Sequence, residues 1–150
     1  MGKFECIWFD THWGSWSIST NHWWHGYALN YYEVYTYSTQ FTGPVTLTTI
    51  NFKIVRVGNL VTMSMTSPTT NGLPPSAAAF TSSTALPSRF YPAQSLLSPI
   101  TVQNNGTQVY GLLQIGTSGV LTIGVGPQTG AVFTTGGSCG IYPFTVSWCV

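Results

Sequence analysis

From Tyr35 to the end of the chain, apolar and polar positions alternate in short runs separated by Gly, Pro, Asn and Ser. A period of two sends successive side chains to opposite faces of an extended backbone, so the pattern predicts strand after strand and almost no helix. YYEVYTYSTQF alternates aromatic and polar residues from Tyr35, VTLTTINFKIVRV is rich in β-branched residues, and LVTMSMT sets Val61, Met63 and Met65 against Thr62 and Ser64. The closing run sets Phe144, Val146, Trp148 and Val150 against Thr145, Ser147 and Cys149. Gly58-Asn59 suits a two-residue primed hairpin turn, because Gly accepts positive φ. Asn104-Asn105-Gly106 and Gly116-Thr117-Ser118-Gly119 mark two further tight turns. TSPTTNGLPPSAAA is expected to be a long loop, since Pro74-Pro75 blocks ladder hydrogen bonds, and ALPSRFYPAQSLL an extended segment broken by Pro87 and Pro92. Some eight short strands at this spacing predict an all-β sandwich or barrel.

Several of these strands are apolar on both faces. Phe52 and Ile54 oppose Val55 and Val57, and Leu112 opposes Leu113 and Ile115. An antiparallel sheet in a monomer usually leaves one face wet. Two explanations are open: a neighbouring subunit covers the second face, or the strands lie between two layers of one chain. Under the first, Phe52, Ile54, Val61, Met63, Leu113, Phe144 and Trp148 are candidates for a trimer core.

Composition narrows the classes. The chain has 150 residues, enough for one domain with a sizeable core. Only 5% of residues are charged, but Ser and Thr number 37, so hydroxyls rather than ions face the solvent. Lys3, Lys53, Arg56 and Arg89 are its only basic residues, too few to track a nucleic-acid backbone. A formal charge of +1 favours association, which hints at assembly. No apolar run is long enough for a membrane span, the start MGKFEC lacks a secretory apolar core, and Cys6 stands where a myristoylation motif needs Ser or Thr. The three cysteines, Cys6, Cys139 and Cys149, show no zinc-like spacing. Free buried thiols are one reading of them, and a Cys139–Cys149 bridge is the other.

Chemistry-bearing residues cluster near the start. Residues 34–150 contain no Asp, Glu or His, so a nucleophilic Ser, Thr or Cys there has no base to activate it. Paired acids for glycoside cleavage would have to come from Glu5, Asp10 and Glu33. No enzyme and no cofactor are expected. His12, His22 and His25 are weak metal candidates: His22-x-x-His25 can present two imidazoles on one helical face, but Trp23 and Trp24 between them suit burial or stacking better than ligation. Five of six tryptophans, Trp8, Trp13, Trp16, Trp23 and Trp24, precede residue 25. Rings of this kind anchor protein interfaces, and they also serve as platforms for sugars or bases; an interface anchor is the preferred reading. Lys53, Arg56 and Arg89 are expected to lie along apolar surface or to bond carbonyls at strand ends, with Arg89 supporting a loop. Asn105-Gly106-Thr107 matches a glycosylation sequon, but a type I′ turn accounts for it.

The order of motifs carries a resemblance. R-x-G-N-x-V-T at Arg56–Thr62, ALP-x-R-F-x-P at Ala85–Pro92, and the paired G-x-L-x-I strands that follow the Asn105-Gly106 turn and end at Ile123 are its core. Over about residues 30–150 the chain resembles the jelly-roll heads of viral and phage fibres. Such heads also terminate collagen-like virion proteins of giant DNA viruses and are similar to the trimeric tumour-necrosis-factor-type fold. The resemblance implies an antiparallel jelly-roll β-sandwich, homotrimeric, at a virion surface, with structural and host-attachment roles. Residues 1–29 show no Gly-X-Y repeat and no heptad, so they are expected to be an aromatic arm joining the head (30–150) to other virion or scaffold proteins. Under this reading loops such as Ser67–Ala79 meet a host glycan or receptor. A glycan-binding module using the N-terminal tryptophans and a self-assembling scaffold subunit remain as alternatives.

Overall fold

The computed structural model describes residues 31–71 and 77–150. Among them are eleven strands, β1 (Tyr32–Thr39), β2 (Phe41–Thr42), β3 (Ile50–Val57), β4 (Leu60–Met65), β5 (Thr69–Asn71), β6 (Phe80–Ser82), β7 (Leu96–Asn104), β8 (Thr107–Ile115), β9 (Leu121–Val125), β10 (Cys139–Ile141) and β11 (Phe144–Cys149), with a single 3-10 turn at Ser88–Phe90. They form two antiparallel sheets, β1-β3-β4-β11 and β2-β6-β9-β8-β7-β10-β5. The all-β antiparallel sandwich read from the sequence is what the chain adopts.

Alternation decides which side chains go inside. In β3, Ile50, Phe52 and Ile54 are buried while Asn51 and Lys53 are exposed; in β4, Val61, Met63 and Met65 are buried between Leu60, Thr62 and Ser64. Facing them from the larger sheet are Ile100, Val102, Leu113, Ile115, Leu121 and Ile123. Phe41 meets Phe52 edge-on at 6.2 Å, and Phe80 meets Phe133 at 4.8 Å, so the aromatic residues fill the wider parts of the core.

Turn chemistry agrees with the residue types. Gly58 alone carries positive φ (59°) in the β3–β4 hairpin, whereas Asn105 (51°) and Gly106 (77°) both do in the β7–β8 hairpin, the requirement of a type I′ turn. Pro99 sits inside β7 without breaking the ladder, because β10 pairs with β7 only at Val102 and Gln103 and leaves that edge open at Pro99.

Three sequence expectations change. Phe52, Ile54, Val61, Met63, Leu113 and Trp148 are buried inside the single chain, and Phe144 packs on Phe52 at 5.8 Å, so they form the sandwich's own core and not a trimer core. Of the two explanations for two-faced strands, the second therefore holds for β8: Leu112 is itself buried, beside Gly124, against which the backbone of Ala131 lies. Cys139 and Cys149 are free, as the free-thiol reading has it, and what changes is burial: Cys139 is buried in the core, but Cys149 is exposed on the outer face of the smaller sheet. Finally, the 67–79 stretch is not wholly loop, since Thr69–Asn71 pairs with Cys139–Ile141.

The sandwich has two unlike ends. At one, which we call the base, the N–H of Gly58 donates to Tyr31 O (2.8 Å), that of Val150 to Asn59 O (3.0 Å), and that of Ala93 to Cys149 O (3.5 Å). The start of β1, the β3–β4 hairpin, the end of β11 and the residues after the 3-10 turn thus converge. At the other end, the tip, the N–H of Gly106 donates to Ser138 O (2.8 Å) and that of Thr134 to Asn104 Oδ1 (3.0 Å).

Candidate functional site

Three of the four charged residues in the described chain meet at the base. Glu33 and Arg56 are cross-strand partners in β1 and β3, and the 3-10 turn brings Arg89 down on Glu33 from above. Arg89 grips the carboxylate with two nitrogens: Nη2 lies 2.8 Å from Oε1, and Nε donates to Oε1 (2.9 Å) and Oε2 (3.1 Å). Tyr31 Oη donates to Oε2 at 2.5 Å. Arg56 does not touch the carboxylate; its Nε donates to Gly58 O (2.8 Å) and its Nη1 to Arg89 O (2.5 Å). Bonding of carbonyls by Arg56 and loop support by Arg89, both read from the sequence, are thus what these side chains do.

Aromatic rings line the same cluster. The guanidinium of Arg89 lies 5.0 Å from the Tyr35 ring centroid and 4.7 Å from that of Phe90, and Arg56 lies 4.8 Å from that of Tyr31. Trp148 Nε1 donates to Phe90 O (2.9 Å), which fixes the turn carrying Arg89 to β11. The electrostatic consequences follow from these contacts. The Arg89 hydrogen bonds, then that of Tyr31, hold the Glu33 carboxyl below the usual carboxylate range, and the bond to Glu33 pushes the Tyr31 phenol up. Burial likewise raises the Cys139 thiol, which makes it a poor nucleophile.

Beside the cluster runs an open groove of about 400 Å³ along β1, lined by Tyr35, Thr36, Tyr37, Ser38 and the segment Thr84–Pro87. Among the described residues β1 is the outermost strand of its sheet, and the groove runs along it. Tyr37 Oη donates to Thr84 O (2.5 Å), and the Thr84 N–H donates to Thr39 Oγ1 (3.3 Å), which hold the opposite wall in place. The lining is aromatic and hydroxylic, and the half-exposed Arg89 (44% of its side chain) lies over the ring of Tyr35, one of the lining residues. Its described residues offer hydrogen bonds and ring faces.

The sequence singled out other residues as candidates. Trp8, Trp13, Trp16, Trp23 and Trp24, and with them His12, His22 and His25, lie outside the described residues, as does part of the Ser67–Ala79 loop. Among the described residues no group of three or more His, Cys, Asp or Glu could hold a metal ion, and no helix is long and apolar enough to cross a membrane. The groove and the Glu33–Arg89 pair were not visible in the sequence because the partners are 56 positions apart. The one available signal was that Glu33 is the last carboxylate before a long chain with only three cations to answer it.

Neither a protein-family model nor a characterised protein sequence matches the chain. Among solved structures it is similar to the reovirus attachment protein sigma1, in a crystal structure with alpha-2,3-sialyllactose, at 16% sequence identity and a TM-score of 0.47. The match covers 79% of this chain and 65% of that one, less than two thirds of the other's length.

Proposed function

We propose that this chain is the non-enzymatic head of a viral attachment or virion-surface protein, trimeric in its assembly, and that the β1 groove takes a host glycan. The observation that carries the glycan part is the groove itself: Tyr35, Thr36, Ser38 and Thr84 combine ring and hydroxyl surface beside the half-exposed Arg89. Sugars present both hydroxyl edges and apolar faces, and such a lining answers each. The viral and trimeric parts rest on the motifs at Arg56–Thr62, Ala85–Pro92 and the strands that end at Ile123. The base, where residues 1–29 lead into β1, would face the carrier, leaving the tip and the flank of β1 outward.

The test is titration of the full chain with a panel of neutral and acidic glycans, read by chemical-shift changes. Binding should weaken at least about tenfold in Tyr35→Ala or Thr84→Val, the loss expected when about 1.4 kcal/mol of contact is removed. Silence across the panel, or binding indifferent to both substitutions, would remove the groove from the reading. A solution mass equal to a stable monomer would remove the trimer. Among the described residues β1 is an edge strand, which supports a second reading, in which a strand from a neighbouring subunit adds to the sheet. Deleting residues 1–29 should then abolish assembly while leaving the head folded.

A further inference from the structure

The two sheets carry unlike outer faces. On the larger one, Leu97, Pro99 and Thr101 of β7 alternate with the core residues Ile100 and Val102, and Tyr110, Leu112 and Gln114 of β8 alternate with Leu113 and Ile115. Pairing sets them in rows: Leu97 beside Gln114, Pro99 beside the buried Leu112, Thr101 beside Tyr110. Leu97 is 52% exposed and Tyr110 50%, and Val132, next to the Ala131 that lies on Gly124, is 53% exposed. None of the seven strands of this sheet holds a charged residue, and no charged residue follows Arg89 in the chain. The smaller sheet instead sets Lys53 among Asn51, Thr62 and Ser64 on its outer face, a surface that suits water.

A sheet face meant for solvent ordinarily carries charge. Loss of charge around exposed Leu, Tyr and Val, with Thr and Gln beside them, is the compositional mark of an interface centre. Symmetry then decides what the partner is. Around a rotation axis each residue of the buried face comes up against copies of itself, so a charge there would meet its own like. This face brings no such penalty. The four charged residues of the described chain lie off it: Glu33, Arg56 and Arg89 at the base, and Lys53 on the other sheet. Its extent is sufficient too. Seven strands lie roughly 33 Å across at the usual spacing, and nine-residue β7 and β8 run roughly 30 Å, room for the ~800 Å² that each partner commonly gives to a stable interface.

We infer that the outer face of the larger sheet, centred on Leu97, Pro99 and Tyr110, is where copies of this chain meet around a threefold axis. The inference rests on the trimeric reading and adds to it the face that builds the trimer. The smaller sheet and the β1 groove then lie on the outside of the assembly.

The solution mass of the full chain and of two variants tests it. Leu97 and Tyr110 are at least half exposed, so lysine at both leaves the core untouched. Leu97→Lys with Tyr110→Lys should turn the trimer into monomer, weakening assembly at least about a hundredfold by like-charge contact at the axis. Leu60→Lys on the smaller sheet should leave the trimer intact. A lysine pair that stays trimeric, or a trimer broken by Leu60→Lys alone, overturns the inference and leaves the trimeric reading standing. A monomeric parent overturns both. A milder probe serves if the lysine pair fails to fold. In a Cys6→Ser, Cys149→Ser chain, where Cys139 is buried, a bulky thiol reagent should attack Thr101→Cys severalfold more slowly than Thr62→Cys, a comparably half-buried position on the other sheet. Equal rates would overturn the inference.

Discussion

Trp148→Phe tests how the core and the charged base are joined. The indole N–H of Trp148 donates to Phe90 O in a buried setting, and Phe90 follows Arg89 in the 3-10 turn. Phenylalanine keeps an aromatic ring in β11 but cannot donate. The lost bond contributes about 1 kcal/mol net, and leaving the carbonyl buried without a partner raises the cost to about 2.5 kcal/mol in all. With a denaturant slope of about 2 kcal/mol/M for a domain of this size, the urea midpoint should fall by about 1.2 M at unchanged slope. The same variant should loosen Arg89 from Glu33, because the turn that positions the guanidinium has lost its tie to β11. A midpoint shift under about 0.3 M would show that water or a rearranged backbone satisfies Phe90 O, and the tie would not be a structural requirement.

Three further outcomes are expected. Glu33 has a depressed folded-state pKa, so its contribution to stability is present above the ordinary carboxylate range and is lost as pH falls through the folded value; Glu33→Gln should be less stable than the parent at pH 7, and urea melts should converge below about pH 4. Gly140→Ala should cost about 2 kcal/mol, because an added Cβ would collide with the backbone of Thr69 and Thr70, and limited proteolysis should then cut within residues 66–79 as β5 leaves β10. In the native protein Cys149 should react with a thiol reagent while Cys139 reacts only on unfolding; prompt reaction of both would contradict the burial of Cys139.

Much of the sandwich is legible in the chain because its long strands alternate cleanly. Ile50–Val57 and Leu60–Met65 announce their inward faces residue by residue, and Gly58-Asn59 announces the hairpin between them. The short strands are another matter. Phe41–Thr42, Thr69–Asn71, Phe80–Ser82 and Cys139–Ile141 hold two or three residues each, too few to show a period; Phe80–Ser82 and Cys139–Ile141 pair with the longer β9 and β7, and the other two add onto them in turn. The same limit explains the misplaced trimer core. Alternation says that Phe52 and Val61 share a face with Ile54 and Met63, but not whether a second sheet or a second subunit lies opposite. For the candidate site the residue types were visible and the meeting was not: Glu33, Arg56 and Arg89 come together through a cross-strand pair and a turn, neither of which leaves a spacing to read.

The ends of the sandwich differ in more than shape. Glu33, Arg56 and Arg89 all sit at the base, and Lys53 is the only other charged residue among those described. The turns at the tip, around Asn104–Thr107 and Thr134–Ser138, carry amides, hydroxyls and glycines and nothing that gains or loses a proton in the physiological range. A surface of that kind looks the same to a partner in an acidic compartment as in a neutral one, and salt has no ion there to screen. A partner at the tip would meet shape and hydrogen bonds from these turns, with no charge of theirs for acid or salt to alter.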